Sequence, residues 1–307
     1  MEEYNRIIDS ISVKFLKGKN IRILQSIQVK NYYDVENHIY LLHSGELSFG
    51  DGTKKVEKGD MLFVPGIRAA SVWFGNTNQA KTIKNEEFIT YKERYFEPNN
   101  EPALVGKIDN SFSYVSFESK VFDSINFFAS LDIPPFIIKE QPALARLVKE
   151  VIIESLGDAP GKQRLIENKT EQIVIEIIRY LLKEGMFVEK LATNNTYFRD
   201  PRLIEIFNYI KKDLGGDLSN RVLAGIAGIS EDYVGQYFKL LTGINPQDYI
   251  EYQRMEQAVM LLKTSKRSIR EIGREVGYKD TAYFCRRFKM MFGIPAGKMR
   301  KRDLANF

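Results

Sequence analysis

The sequence predicts a two-domain protein: an amino-terminal antiparallel β-barrel carrying a helical hairpin, and a carboxyl-terminal all-α domain built from tandem helix-turn-helix modules. Three observations predict it. Short alternating strands separated by Gly and Pro turns run from about residue 20 to 117, amphipathic helices take over after Pro142, and one helix-turn-helix pattern occurs twice after residue 217. A chain of 307 residues, 44% hydrophobic and 28% charged, has the length and composition of two ordinary globular domains. The expected boundaries are 1–188 for the first domain, 189–199 for a linker and 200–307 for the second.

The strand signals come first. IRILQSIQV, NHIYLLHSGELSFG, MLFVPG and ASVWFG alternate apolar and polar residues, and Asp51-Gly52, Lys58-Gly59-Asp60 and Pro65-Gly66 punctuate them as turns. The string H-x-Y-L-L-x-S-G-E-L-x-F-x-D-G, followed by K-G-D-M-L-F-V-P-G, resembles the cupin-like sensor domain of AraC-type regulators. Tyr40, Phe49, Arg68 and Trp73, with Phe74 beside them, are the candidate ligand-binding residues. A small-molecule pocket is mostly apolar with a few orienting polar groups, and an arginine clamps an acid. The same aromatics also suit a packed core with Arg68 in solvent, and alternation alone leaves both readings open.

Cupin barrels also host metal enzymes, which tests this region for catalysis. The chain has two histidines, His38 and His43, and five residues along a regular strand point them to opposite faces. Glu36 shares a face with His38, but two donors make a poor zinc or iron site. After Pro65-Gly66, where a further histidine belongs in metal-dependent cupins, stand Ile67, Arg68, Ala69 and Ala70. The sequence therefore predicts no metal, no cofactor and no enzyme, with a metal-dependent cupin activity as the disfavoured alternative.

Two helices follow, within about 140–186. Leu144, Leu147, Val148, Val151 and Ile152 make an apolar stripe from Pro142 to Leu156, and Ile166, Ile173, Val174, Ile177, Tyr180 and Leu181 make another from Arg164 to Glu184. Gly157 to Gly161 turn the chain back between them. In the resembled family this region forms a dimer interface, so a homodimer through 142–184 is expected, with Val148 and Ile177 as candidate partner-facing positions. A hairpin packed on the barrel fits the same stripes. LATNNTYFR at 191–199 has linker composition, and Asp200-Pro201 supplies an N-cap and a first-turn proline for the next helix.

The two helix-turn-helix modules are expected at about 218–243 and 268–293. In the second, Ser268 and Glu271 form a capping box, Ile269, Ile272 and Val276 make the buried stripe, and Gly277 stops the helix. The next helix hides Phe284, Phe288 and Met291, leaving Thr281, Ala282, Cys285, Arg286 and Lys289 outward. The first module repeats the plan, with Tyr233, Phe238, Lys239, Gly243 and Ile244 recurring fifty positions later as Tyr283, Phe288, Lys289, Gly293 and Ile294. Asp232, Gly235, Gln236 and Lys239 occupy its outward face. Asp232, Gly235 and Gln236 stand where members of the resembled family often show larger donors, so that module is expected mainly to position the protein. Between the two, Asn245 and Asp248 cap a helix opened by Pro246 that runs to about Lys263. A single rigid helix between two reading helices would set them about one DNA turn, roughly 34 Å, apart.

Charge points to the same partner. Residues 201–307 hold 19 Lys+Arg against 12 Asp+Glu, a net of +7, which leaves 26 against 28 for the rest. Lys266 and Arg267 extend the basic face, and phosphate neutralisation with counterion release makes duplex DNA its natural ligand. The run I-x-E-I-G-x-x-x-G-Y-x-D-x-x-Y-F-C-R-x-F-K-x-x-x-G-I-P-x-x-x-x-R closely resembles the carboxyl-terminal signature of AraC/XylS-type transcription regulators. The resemblance implies a sequence-specific DNA-binding regulator, an activator that engages RNA polymerase, controlled by an effector in the barrel. The one cysteine, Cys285, excludes a disulfide framework and reads as a small residue at the DNA face rather than a redox switch. No apolar run approaches the roughly 20 residues of a membrane span, and MEEYNRIIDS is unlike a signal peptide, so a cytoplasmic location is expected.

Overall fold

A computed structural model of the chain describes residues 5, 8–32, 34, 36–66, 69–121, 125–131, 133–186, 200–242, 245–292 and 294–304. Two compact units result: Ser10–Ala129 with Ile133–Phe187, and Val188–Phe307 with Met1–Asp9 and Ser130–Asp132. Arg68 and the expected 189–199 linker lie outside the described residues.

The first unit contains strands β1 (Ile11–Ile23), β2 (Ile27–Tyr32), β3 (Asn37–Ser44), β4 (Leu47–Phe49), β5 (Lys54–Val56), β6 (Met61–Val64), β7 (Ala70–Phe74) and β8 (Lys81–Lys84). Helix α1 (Asn85–Thr90), strands β9 (Phe96–Asn99), β10 (Ser111–Val121), β11 (Ile125–Asn126) and β12 (Phe136–Ile138), and helices α2 (Pro142–Leu156) and α3 (Lys162–Lys183) follow. The strands form two sheets rather than one closed barrel. The larger runs β12-β6-β3-β10-β1-β9 with β11 against β10, and the smaller runs β5-β4-β7-β2-β8. Pairing is antiparallel except between β2 and β8.

Period-two alternation explains the packing. Tyr40, Leu42, Leu62, Val64, Phe112 and Tyr114 turn one face of the larger sheet toward Val29, Leu47, Phe49, Val72 and Phe74 of the smaller, forming the inter-sheet core. The alternate residues Ile39, Leu41, Met61, Phe63, Val115 and Phe117 are buried too. Their face carries the hairpin, since α2 and α3 pack on β1 and β10. Gly18 permits that approach, because a Cβ there would lie 2.9 Å from Ile152 Cδ1. The hairpin's two stripes are thus spent on the sheet. Val148 and Ile177 are both 0% exposed, so they are core residues and not partner-facing positions. The exposed apolar side chains of the hairpin are Ile153 and Leu165, beside its turn.

The second unit contains α4 (Pro201–Lys212), α5 (Asn220–Ala227), α6 (Glu231–Thr242), α7 (Pro246–Thr264), α8 (Ile269–Glu275), α9 (Thr281–Phe292) and α10 (Ala296–Leu304). Asp200 caps α4 through the Arg202 backbone N–H at 3.1 Å. The Arg202 guanidinium also grips this carboxylate and holds it at about 2, below the usual range. Asn245 departs from expectation: its side chain donates to Asp248 at 3.0 Å instead of capping the α7 backbone. Among the described residues, no helix is long and apolar enough to cross a membrane.

His43 lies on the hairpin side of the larger sheet, with Nε2 2.7 Å from Ser113 Oγ. Burial, and then the Lys149 ammonium, push it down to about 4. Between that value and the unfolded value of about 6.5 the unfolded chain binds more protons, so stability falls as pH drops through this window. His43→Gln should flatten the acid limb, removing at most about 3 kcal/mol of pH-dependent stability between pH 7 and pH 4. Urea titrations of both proteins at several pH values measure it.

Candidate nucleic-acid interface

The interface is built on the two helix pairs of the second unit. Phe207 packs edge to face on Phe238 at 5.4 Å and on Tyr249 at 5.1 Å, with Phe238 and Tyr249 tilted against each other at 5.6 Å, and the three rings seat the first pair on α4 and α7. Phe284, Phe288 and Phe292 form the equivalent ladder of α9. Phe292 takes the place expected of Met291, which is half-exposed, because the buried stripe runs at i, i+4 and i+8. Gly273 brings α8 against α9, where a Cβ would lie 3.2 Å from the Phe284 ring. Ser268 and Glu271 make the expected capping box, while Gly228 and Gly277 adopt the left-handed conformation that ends α5 and α8.

With those residues inward, α9 shows solvent a polar and basic face. Ala282, Arg286 and Lys289 are exposed, and Thr281 and Cys285 are half-exposed beside them. Arg286 lies 5.9 Å from the centre of the exposed Tyr283 ring. On α6, Asp232, Gln236 and Lys239 are exposed and Gly235 is half-exposed. Lys266 is exposed, whereas Arg267 pairs with Glu275. Tyr233 and Tyr283 are 42% and 48% exposed, which puts an aromatic ring on each outer face. The fifty-residue repeat marks this pair without saying which way the rings face.

Arg287 serves a different purpose from its neighbour. Nε donates to Glu251 Oε1 of α7 at 2.5 Å, Nη2 reaches the other carboxylate oxygen, and the Tyr278 hydroxyl joins at 3.4 Å. The carboxylate raises the Arg287 pKa, so this charge fastens α9 to α7. A second fastening is centred on Arg254, also from α7. Its half-buried guanidinium donates to the carbonyls of Leu214 at 2.9 Å and Gly216 at 3.1 Å, in the connection between α4 and α5. Gly215 reaches the Glu275 carbonyl so closely that a Cβ would lie 2.5 Å from it. The connection between α4 and α5, the turn of the second module and α7 thereby border one open cleft of about 880 Å³, lined by Ser219, Gln247, Arg254, Arg274 and Lys279 among others.

Gly277 is the sensitive point of this arrangement. Its φ is +90°, and a Cβ would lie 2.7 Å from the Arg254 guanidinium. Gly277→Ala should therefore cost about 1–3 kcal/mol, through left-handed strain and displacement of that guanidinium. A lowered thermal midpoint of the full chain checks it.

The candidate ligand residues of the first unit are divided. Tyr40 and Phe49 belong to the inter-sheet core, with the Tyr40 hydroxyl 3.1 Å from that of Tyr32. Trp73 alternates to the opposite face of β7, where its ring packs on the Gly52 turn, so it does not join them.

A family model for a helix-turn-helix domain matches residues 223–302. The uncharacterized HTH-type transcriptional regulator YpdC of Escherichia coli is 25% identical over 235 residues, 75% of this chain and 79% of that protein. The arabinose operon regulatory protein of the same species is 29% identical over 166 residues, 52% of each chain. The chain spans about half the length of other curated relatives it matches, among them an uncharacterized HTH-type regulator of Haemophilus influenzae and MtrA of Neisseria gonorrhoeae. ToxT of Vibrio cholerae shares the two-domain fold, with a TM-score of 0.53 and 12% identity over 95% of this chain and 98% of that one. Residues 223–302 therefore hold a helix-turn-helix domain, and the chain is similar to AraC-type transcription regulators.

Proposed function

We propose that the protein is a sequence-specific transcription activator in which α9 reads bases in the major groove while α6 chiefly positions the complex. The observation that carries this reading is the division of labour between adjacent arginines: Arg287 is locked to Glu251, and Arg286 is exposed and forms no ion pair among the described residues. A guanidinium on the outer face of a reading helix suits guanine O6 and N7. Thr281, Ala282, Cys285 and Lys289 complete that face, and Lys266 and Lys239 supply phosphate contacts. RNA polymerase is the partner through which an activator of this type acts.

Two further roles belong to the first unit. An effector would enter near Tyr40 and Phe49, where the paired Tyr32 and Tyr40 hydroxyls offer polar groups inside an apolar core. Homodimerisation would use the turn end of the hairpin, where Ile153 and Leu165 are 43% and 45% exposed. A dimer carries four helix-turn-helix modules, so its operator would hold two copies of a site spanning two major-groove segments.

Arg286→Ala should lose about 1–3 kcal/mol of specific binding and relax preference at one base pair, whereas Lys289→Ala should weaken all sequences alike with a shallower salt dependence. Binding isotherms on single-base operator variants separate the two. If Arg286→Ala leaves the specific footprint intact, α9 does not read through this residue. Ile153→Asp with Leu165→Asp should shift sedimentation from dimer to monomer and weaken operator binding while circular dichroism is unchanged. A full-length wild-type protein that sediments as a monomer on and off DNA removes the dimer.

A further inference from the structure

We propose that Asp34, Glu36 and His38 form a binding site for one divalent transition-metal ion, of which Zn²⁺ is the best-matched probe, within the first unit and independent of the DNA interface. His38 lies in β3, and Asp34 and Glu36 stand four and two residues ahead of it, just before the strand begins. One ligand atom from each lies within 4.8 Å of the other two. The sequence alone showed two donors here. Asp34 precedes the alternating run and does not read as part of the strand.

The histidine gives the cluster its direction. His38 is 2% exposed, and its Nε2 lies 3.3 Å from Asp34 Oδ2 without the alignment of a hydrogen bond. A buried imidazole nitrogen left without a hydrogen bond is costly unless something takes its lone pair. For comparison, two ligands each about 2.1 Å from a tetrahedral metal stand roughly 3.4 Å apart. On the far side of the ring, Nδ1 is 2.7 Å from the buried Ser116 Oγ. When Nδ1 carries the proton and donates it to Ser116, the Nε2 lone pair faces the carboxylates. This is the outer hydrogen bond that orients a metal-binding histidine. One imidazole and two carboxylates are a mixed nitrogen and oxygen set, suited to Zn²⁺, Fe²⁺ or Mn²⁺.

The Lys17 ammonium lies 2.9 Å from Glu36 Oε2 and is 31% exposed. It supplies positive charge to the same carboxylate that a metal would use, and a long, partly exposed side chain can swing out. Lys17 is therefore a built-in competitor, which separates this site from an ordinary ion-pair cluster: its removal should tighten metal binding.

The test is calorimetric titration of ZnCl₂ into the full chain after treatment with EDTA, with elemental analysis after gel filtration. The expected result is one Zn²⁺ per chain, at least tenfold weaker in His38→Gln and Glu36→Gln, and several-fold tighter in Lys17→Gln. No bound zinc in the wild type overturns the proposal, as does unchanged affinity in both ligand variants, which would place the metal elsewhere. If the buried substitutions disturb the circular dichroism spectrum, the half-exposed Lys17→Gln decides: tighter binding supports the site and unchanged or weaker binding overturns it.

Discussion

The geometry of the DNA-binding unit depends on a half-buried arginine. Arg254 carries a positive charge away from water, and burial lowers its pKa accordingly. It is held there by carbonyl oxygens of the 214–216 turn rather than by a carboxylate at close range. Peptide carbonyls at a turn have lone pairs that no helix uses, so the guanidinium satisfies them and is satisfied in return. Gly215 and Gly277 are the residues that make room, one for a carbonyl and the other for the guanidinium plane. Side chains on either would part the modules. The Glu251–Arg287 pair adds a second fastening from the same helix, so α7 holds both neighbours by charge-assisted hydrogen bonds while its apolar residues fill the core.

In the first unit the governing constraint is a sheet with no wet face. β3 is buried along nearly its whole length, which is unusual for an antiparallel strand and follows from a sheet on one side and a helical hairpin on the other. Polar residues in such a strand must find partners inside. Asn37 does so through the Phe117 carbonyl, the Ser119 hydroxyl and the Gly66 N–H. His43 and His38 each meet a serine of β10, on opposite faces. The serines of that strand act as a polar spine through an otherwise aromatic interior.

Much of this was legible in the sequence, and the exceptions have physical causes. Helix limits were clear wherever caps and glycines mark them, as at Ser268, Gly277, Asp200 and Pro142. β1 was harder to read, because ISVKFLKGKN is polar and its first residues are half-exposed at the sheet's end. β10 lacks alternation, since its serines are as buried as its phenylalanines. The outward face of α9 followed from periodicity, but the distinct fates of Arg286 and Arg287 depend on Glu251, 36 residues away, and no local pattern encodes that. The same is true of Val148 and Ile177, whose stripe announces burial without saying against what. Trp73 shows the converse limit: in a short strand one residue of alternation decides between core and outer face.

The 19 residues of α7 also act as a phase setter. Each residue of an α-helix advances about 1.5 Å and turns about 100°, so a one-residue insertion would swing one module well off the line of its sibling while hardly changing their separation. Gain or loss is tolerable only near whole turns, and even then Arg254 and Glu251 would meet different neighbours. The angular offset between the modules is thus digital, and a lineage cannot adjust it gradually.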